Sequence, residues 1–186
     1  LSLLAEEEGM RKEDILVLEI SNRQLKIPFE RYPDIAVITN IYPNHLDEHE
    51  SMDEYRKVKM KIATRGEGAE VVVGGEDSEL LQWAQKKRAS IIDSNKLQFV
   101  KTNFSLPNSL AGEHNIANVA IAFAVCKQLD IDMNQFQTAL SSFPGVEKRQ
   151  ELMLKTDRVQ VINDTIATTP TATLMAAKTF QNTPLF

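Results

Sequence analysis

The residues of this chain best suited to chemistry stand at the ends of apolar runs. The stretch "NIYPNHLDEHESMDEYRKVKMKIA", residues 40–63, holds two of the three histidines, His45 and His49, with Asp47 between them. Residue type leaves three readings open: a metal site, a catalytic loop, or a polar turn between a strand and a helix. A zinc site of the H-E-x-x-H kind places its glutamate directly after the first histidine, where it serves as general base. The order here is H-L-D-E-H, which argues against zinc. Lys59 follows Tyr55 by four positions and stands at the edge of a stripe formed by Tyr55, Val58 and Ile62, whereas Lys57 and Lys61 point elsewhere. A lysine at such an edge normally snorkels its ammonium into water. If it is partly desolvated instead, its pKa falls and it can act as a neutral amine.

Three further positions have the right residue types. "ILVLEIS" ends in Glu19 and Ser21. An acid after an apolar run suits a metal-holding carboxylate of the kind found in phosphate-loop enzymes, or simply a solvated strand end. "VQVIND" ends in Asn163 and Asp164 and leads into "TIATTPTAT", with Thr168. A polar turn opening a helix offers N–H groups and hydroxyls to an anion, or merely caps the helix. In "AGEHNIANVAIA", Asn115 and Asn118 share a helix face near its start. Amide side chains there can read the N6 and N7 edge of an adenine, or again cap.

The elements that must position these residues alternate. "DILVLEI" (14–20), "DIAVITN" (34–40), "AEVVVGG" (69–75) and "RVQVIND" (158–164) are short, β-branched runs that read as buried parallel strands. Residues 51–63, 77–88, 112–129, 132–143 and 169–180 carry helical spacing. Ser51 and Glu54 predict a capping box, and Pro170 suits the start of the last helix. "SIID" and "LQFVKTNFSLP" read as an antiparallel ribbon. The expected fold class is therefore α/β, with a mostly parallel sheet flanked by helices. Pro144 and Gly145 break the pattern, so the expected domains are 1–144 and 145–186. In parallel sheets ligands gather at the carboxyl ends of the strands, and three of these runs end in residues that suit such a site: Glu19 and Ser21, the loop of His45 and His49, and Asn163 with Asp164.

Composition narrows the function classes. The chain has 186 residues and a net charge of −5, which disfavours a nucleic-acid groove. A single cysteine, Cys126, rules out an internal disulfide framework and suits a reducing cytoplasm; it reads as a core thiol. No apolar run approaches the roughly 18 residues of a membrane span. The first residues, "LSLLAEEEGM", are acidic and lack the basic region of a signal peptide. The chain opens in what reads as mid-helix and stops at "NTPLF", as a piece of a longer protein would.

Taken in order, these segments resemble the Mur ligases, the ATP-dependent amino-acid ligases of peptidoglycan synthesis. "VLEISNRQL" resembles E-L-S-S-F-Q-L, and "TNIYPNHLDEHESMDEYRKVKMKI" resembles the T-N…H-[LM]-D-x-H…Y-x-x-x-K segment. "GEHNIANVAIAFAV" resembles G-x-H-N-x-x-N-x-x-A-A, "FPGVEKRQEL" resembles F-x-G-[LV]-x-H-R-x-E, and "VINDTIATTPTAT" resembles I-N-D-S-K-A-T-N-P-x-A-T. The first and last look most like members that add D-glutamate to UDP-N-acetylmuramoyl-L-alanine. The runners-up are other Mur-type amide ligases, such as folylpolyglutamate or cyanophycin synthetases, and a non-catalytic protein that keeps the fold.

The resemblance implies a central ATP-binding domain followed by the start of a Rossmann-like C-terminal domain. It implies a cytoplasmic, monomeric enzyme acting on small molecules (ATP, UDP-muramoyl-L-alanine and D-glutamate), with no nucleic-acid partner and no membrane insertion. Glu19 and His45 would hold Mg²⁺, with Lys59, carbamylated by CO₂, helping to hold a second Mg²⁺. Ser21 and Thr168 would face the muramoyl substrate, Asn115 and Asn118 the adenine, and Arg149 and Asp164 the phosphates and ribose. The family's G-x-x-G-K-[ST] phosphate loop does not occur in these 186 residues and is expected upstream of Leu1. Ile166 stands where most relatives have Lys, and Lys148 where many have His.

Overall fold

A computed structural model of the chain describes residues 9, 11, 13–28, 32–43, 49–63, 70–75, 77–168 and 170–180. Three strands, β1 (Ile35–Ile38), β2 (Glu70–Val73) and β3 (Ser90–Ile91), form a parallel sheet in that order. The register pairs Ile35 with Glu70 and Ile38 with Val73, and then Val73 with Ile91.

β2 is the central strand, and its sequence shows why. Alternate side chains of a strand leave opposite faces. Val72 enters one apolar cluster, with Val100, Phe104, Val119, Phe123 and Phe136, whereas Val71 and Val73 enter another, with Tyr55, Leu80 and Ala84. Both faces are thus covered, as the unbroken valine run requires. Val72 and Val73 are wholly buried, and each such side chain contributes about 1.5–3 kcal/mol.

Helices α1 (Asn22–Lys26), α2 (Met52–Met60) and α3 (Ser78–Lys86) precede β3; α4 (Ser94–Asn103), α5 (Glu113–Gln128) and α6 (Met133–Ser141) follow it. Short 3₁₀ turns cover Lys61–Ala63 and Asn108–Leu110. The phenylalanines hold α4, α5 and α6 together: the Phe104 and Phe123 rings meet edge-on at 4.9 Å, and Phe123 lies 5.1 Å from Phe136. Cys126 packs half-buried against this cluster, and burial raises its thiol pKa.

After α6 come β4 (Glu151–Lys155), β5 (Gln160–Asn163) and α7 (Pro170–Thr179). β4 and β5 pair antiparallel, with an irregularity between Leu152 and Leu154.

Several expectations are corrected. Residues 14–20 form no strand: Ile15 through Leu18 are exposed, Val17 to 87%. Their β pattern needs a neighbouring strand, and among the described residues none pairs with them. The expected ribbon over "SIID" and "LQFVKTNFSLP" is instead parallel strand β3 and helix α4. Asp93 caps α4 by accepting from the Lys96 N–H, and Leu97, Val100 and Phe104 face the core at helical spacing. The run 158–164 contains a strand, but an antiparallel one, because a tight turn joins it to β4. At α2, Ser51 accepts from the Glu54 N–H as expected, but the Glu54 carboxylate accepts from the N–H of Glu50 rather than Ser51, so only half of the box forms. Complete boxes occur at Ser21–Gln24 and Asp132–Gln135. Both were legible as a capping residue followed three positions later by Gln.

Candidate functional site

The carboxyl end of β1 opens onto a cleft of about 300 Å³. Thr39 and Asn40 continue the strand into it, Leu25 and Ile38 lend apolar surface, and Glu19 and Lys59 both line it. The polypeptide thus brings together an acid and a lysine forty residues apart in sequence. Gly74 permits the close approach of the next loop: a Cβ there would stand 2.7 Å from the Thr39 carbonyl oxygen and 2.6 Å from Ile121 Cδ1.

Lys59 is half-buried, with Nζ 5.4 Å from the centroid of the Tyr55 ring. Burial lowers its pKa, and the Glu19 carboxylate restores part of the shift. Desolvation disfavours the ammonium and so raises the share of neutral, nucleophilic amine. The Tyr55 hydroxyl is pushed up by burial and stays protonated.

His49 lies in a bend just before α2 and is buried. Its Nε2 meets Asn22 Nδ2 at 2.9 Å, its ring stands edge-on to Tyr55 at 5.0 Å, and Nδ1 lies 3.7 Å from Glu54 Oε1. No feature of the sequence signals the Asn22 contact, because the partner lies 27 residues earlier. Ser21 caps α1, and its hydroxyl is 2.9 Å from Gln24 Oε1. His45 and Asp47 lie outside the described residues.

A second group gathers at the start of α5. Gly112 has φ +100°, and a Cβ there would sit 2.5 Å from Thr179 Oγ1. His114 Nε2 meets Gln150 Nε2 at 3.0 Å, and the Gln150 N–H donates to Asp164 Oδ1 at 3.1 Å. Burial lowers the His114 pKa, the Arg149 cation lowers it further, and Asp164 opposes them. Asn115 is buried; its Nδ2 donates to the Ala111 carbonyl at 2.8 Å, and its Oδ1 accepts from Asn118 at 3.4 Å. Asn118, Arg149 and Thr168 are exposed, and Asp164 is half-buried. The two departures from the family pattern meet through the backbone, where the Ile166 N–H donates to the Lys148 carbonyl.

Could the first cleft hold a hard cation? Magnesium takes oxygen ligands, one or two of them carboxylates, and keeps several waters. Glu19 with Thr39 and Asn40 fits that need. As an ammonium Lys59 does not ligate; as a carbamate it would. Among the described residues no group of three or more His, Cys, Asp or Glu side chains could hold a metal.

A parallel sheet covered by helices on both faces, with a cleft at the carboxyl end of β1, defines a domain of the α/β class. The sequence matches the Mur ligase middle domain over residues 1–126, and the chain belongs to that family. It is similar to the UDP-N-acetylmuramoylalanine--D-glutamate ligase of Clostridium kluyveri, with 31% identity over 204 residues covering 96% of this chain and 42% of the relative. To the enzyme of the same name from Clostridium tetani it is 31% identical over 193 residues, covering 93% of this chain and 41% of the relative. The chain thus spans about 42% of the length of the curated relatives it matches. Among solved structures, MurF from Acinetobacter baumannii superimposes with a TM-score of 0.64 at 20% identity, over 82% of this chain and 38% of that one; this likeness shows the fold. No helix among the described residues is long and apolar enough to cross a membrane.

Proposed function

We propose that the chain is the middle portion of an ATP-dependent ligase that joins D-glutamate to UDP-N-acetylmuramoyl-L-alanine. The observation that carries this reading is the shared cleft of Glu19 and half-buried Lys59 at the end of β1. The names of the most similar relatives support the choice of substrate. The boundary between the ATP-binding portion and the start of the next domain falls near Pro144 and Gly145.

In this reading the substrate carboxylate takes the γ-phosphoryl group of ATP, releasing ADP. The amine of D-glutamate then attacks the acyl phosphate, forming the amide and expelling phosphate. Glu19 and His45 hold Mg²⁺, which offsets phosphate charge when bound. Ser21 and Thr168 orient the muramoyl substrate, Asn115 and Asn118 the adenine, and Arg149 and Asp164 the phosphates and ribose. Because Asn115 is already buried and hydrogen-bonded, its part is to aim Asn118, the exposed member of the pair.

Lys59 takes up CO₂: the neutral amine forms a C–N bond, a proton leaves, and a carbamate replaces the ammonium. The lowered pKa raises the share of neutral amine this step needs. Isotope-labelled bicarbonate tests it. A carbamate carbon signal that disappears in Lys59→Ala supports the role; no such signal at any bicarbonate concentration removes it. Because the chain spans less than half of its relatives, it should not ligate by itself. ATP-dependent amide formation by the purified 186 residues would overturn that expectation.

A further inference from the structure

Glu19 lies in the segment that leads into α1. Among the described residues, no backbone hydrogen bond joins residues 15–20 to another strand. Its anchor is the helix that follows, α1, whose buried side chains are Asn22 and Leu25. Leu25 makes apolar contact, which is non-directional. Asn22 is different: its amide meets the imidazole of His49, a side chain with no exposed surface. A buried hydrogen bond fixes direction as well as distance, and breaking one side strands a polar group.

His49 also touches the helix that carries Lys59. Its ring stands edge-on to Tyr55, interplanar angle 67°, and Lys59 Nζ sits over the Tyr55 ring. Three contacts therefore link the start of α1 to the lysine: Asn22 to His49, His49 to Tyr55, and Tyr55 to Lys59 Nζ. With the Asn22 amide nitrogen donating, Nε2 accepts and Nδ1 carries the proton toward Glu54 Oε1, 3.7 Å away. That separation is too long for a hydrogen bond, so among the described residues Nδ1 is buried without a hydrogen-bond partner.

We infer that His49 is a positioning residue for the cleft: it fixes the Glu19 segment through Asn22 and the Lys59 amine through Tyr55, and so sets the two in register. The inference rests on reading that cleft as the reacting site. It explains why an imidazole is buried here with an imperfect set of partners, since an apolar residue would pack as well but could not orient α1.

The test uses the 186-residue chain with Mn²⁺ as a paramagnetic probe. His49→Phe keeps the ring against Tyr55 but removes the acceptor, Asn22→Leu removes the donor at similar volume, and His49→Gln restores a side-chain amide. The amide of Leu25, bonded to the Ser21 carbonyl, should exchange about tenfold faster in both His49→Phe and Asn22→Leu, as loss of one hydrogen bond implies. The double variant should add nothing, and the amides of β2 should be unchanged. Mn²⁺ broadening of Glu19 and Lys59 resonances should weaken together in both single variants and return in His49→Gln. Exchange that rises equally in β2, or Mn²⁺ broadening that survives in His49→Phe, would reduce His49 to core packing and overturn the inference. If the unsubstituted chain shows no Mn²⁺ broadening at Glu19, the cation reading of the cleft fails. Leu25 exchange and nuclear Overhauser contacts between Lys59 and Tyr55 then decide the positioning role: unchanged values in His49→Phe would overturn it.

Discussion

Replacing Gly74 by Ala tests how tightly the end of β1 is built. The added methyl would lie 2.6 Å from Ile121 Cδ1 and 2.7 Å from the Thr39 carbonyl oxygen. Ordinary contact is about 3.5–4.0 Å, so the methyl must be relieved by nearly 1 Å on two sides at once. Neither side yields easily. Ile121 is buried within the phenylalanine cluster, and Thr39 is held by its neighbour, because the Gly74 N–H donates to the Ile38 carbonyl at 2.9 Å. Overpacking of this kind costs about 1–3 kcal/mol, and the site belongs at the upper end because one obstacle is backbone. The loss of unfolded-state freedom at an Ala offsets about 0.4–1 kcal/mol. The net expectation is a destabilisation of about 2 kcal/mol, or about 4–8 °C in Tm for a chain of this size. Trp83, the single tryptophan, packs against the β1–β2 cluster and reports on it by fluorescence during urea unfolding. Thr39 and Asn40 line the cleft, so their resonances should shift while those of the β4–β5 pair stay put. A loss under about 0.5 kcal/mol with Thr39 unmoved would refute the close-approach argument.

Lys59→Met should stabilise the chain by up to about 1 kcal/mol at neutral pH, because a half-buried ammonium is replaced by an apolar side chain of similar length. The lysine pKa is lower in the folded than in the unfolded state, so the native chain should gain stability as pH rises from the folded value toward the ordinary 10.5. Urea titrations across that window should show the gain in the parent and not in the variant. Asp77→Asn keeps a capping side chain on α3 but drops the charge paired with Arg56 at 2.9 Å. Burial alone would raise the Asp77 pKa, but the Leu80 N–H and Arg56 outweigh it and hold it down. Its stabilisation, about 1–2 kcal/mol, is therefore present above the ordinary 3.8 and lost as pH falls through the lowered folded value. The parent and Asp77→Asn stabilities should converge in acid. Asp132→Ala removes an acceptor that serves the N–H groups of both Asn134 and Gln135, and thermal unfolding should show a loss of about 1–2 kcal/mol.

Much of the fold could be read from short local patterns. The expected helix over 112–129 is found at Glu113–Gln128, with Gly112 at its start. The valine run at 71–73 forms the central strand, whose two covered faces bury all three valines. Where a local pattern misleads, the neighbouring segments decide. "LQFVKTNF" has strand composition, but its apolar residues repeat at helical spacing behind an aspartate cap. "DILVLEI" has strand periodicity, yet a strand is a property of two chain segments, and no described segment pairs with this one.

The site divides along the same line. Local spacing carries the inventory: an acid after an apolar run, a lysine four residues past a tyrosine, amides at a helix start, and motif order sufficient to indicate the family. These are local spacings, and backbone geometry turns them directly into faces and ends. The tertiary structure alone decided which of these residues meet. It put Glu19 and Lys59 in one cleft, moved His49 from a polar loop to a buried bond with Asn22, and withdrew enough water from Lys59 to lower its pKa. Desolvation and hydrogen-bond direction depend on atoms tens of residues away in sequence, so no local pattern encodes them.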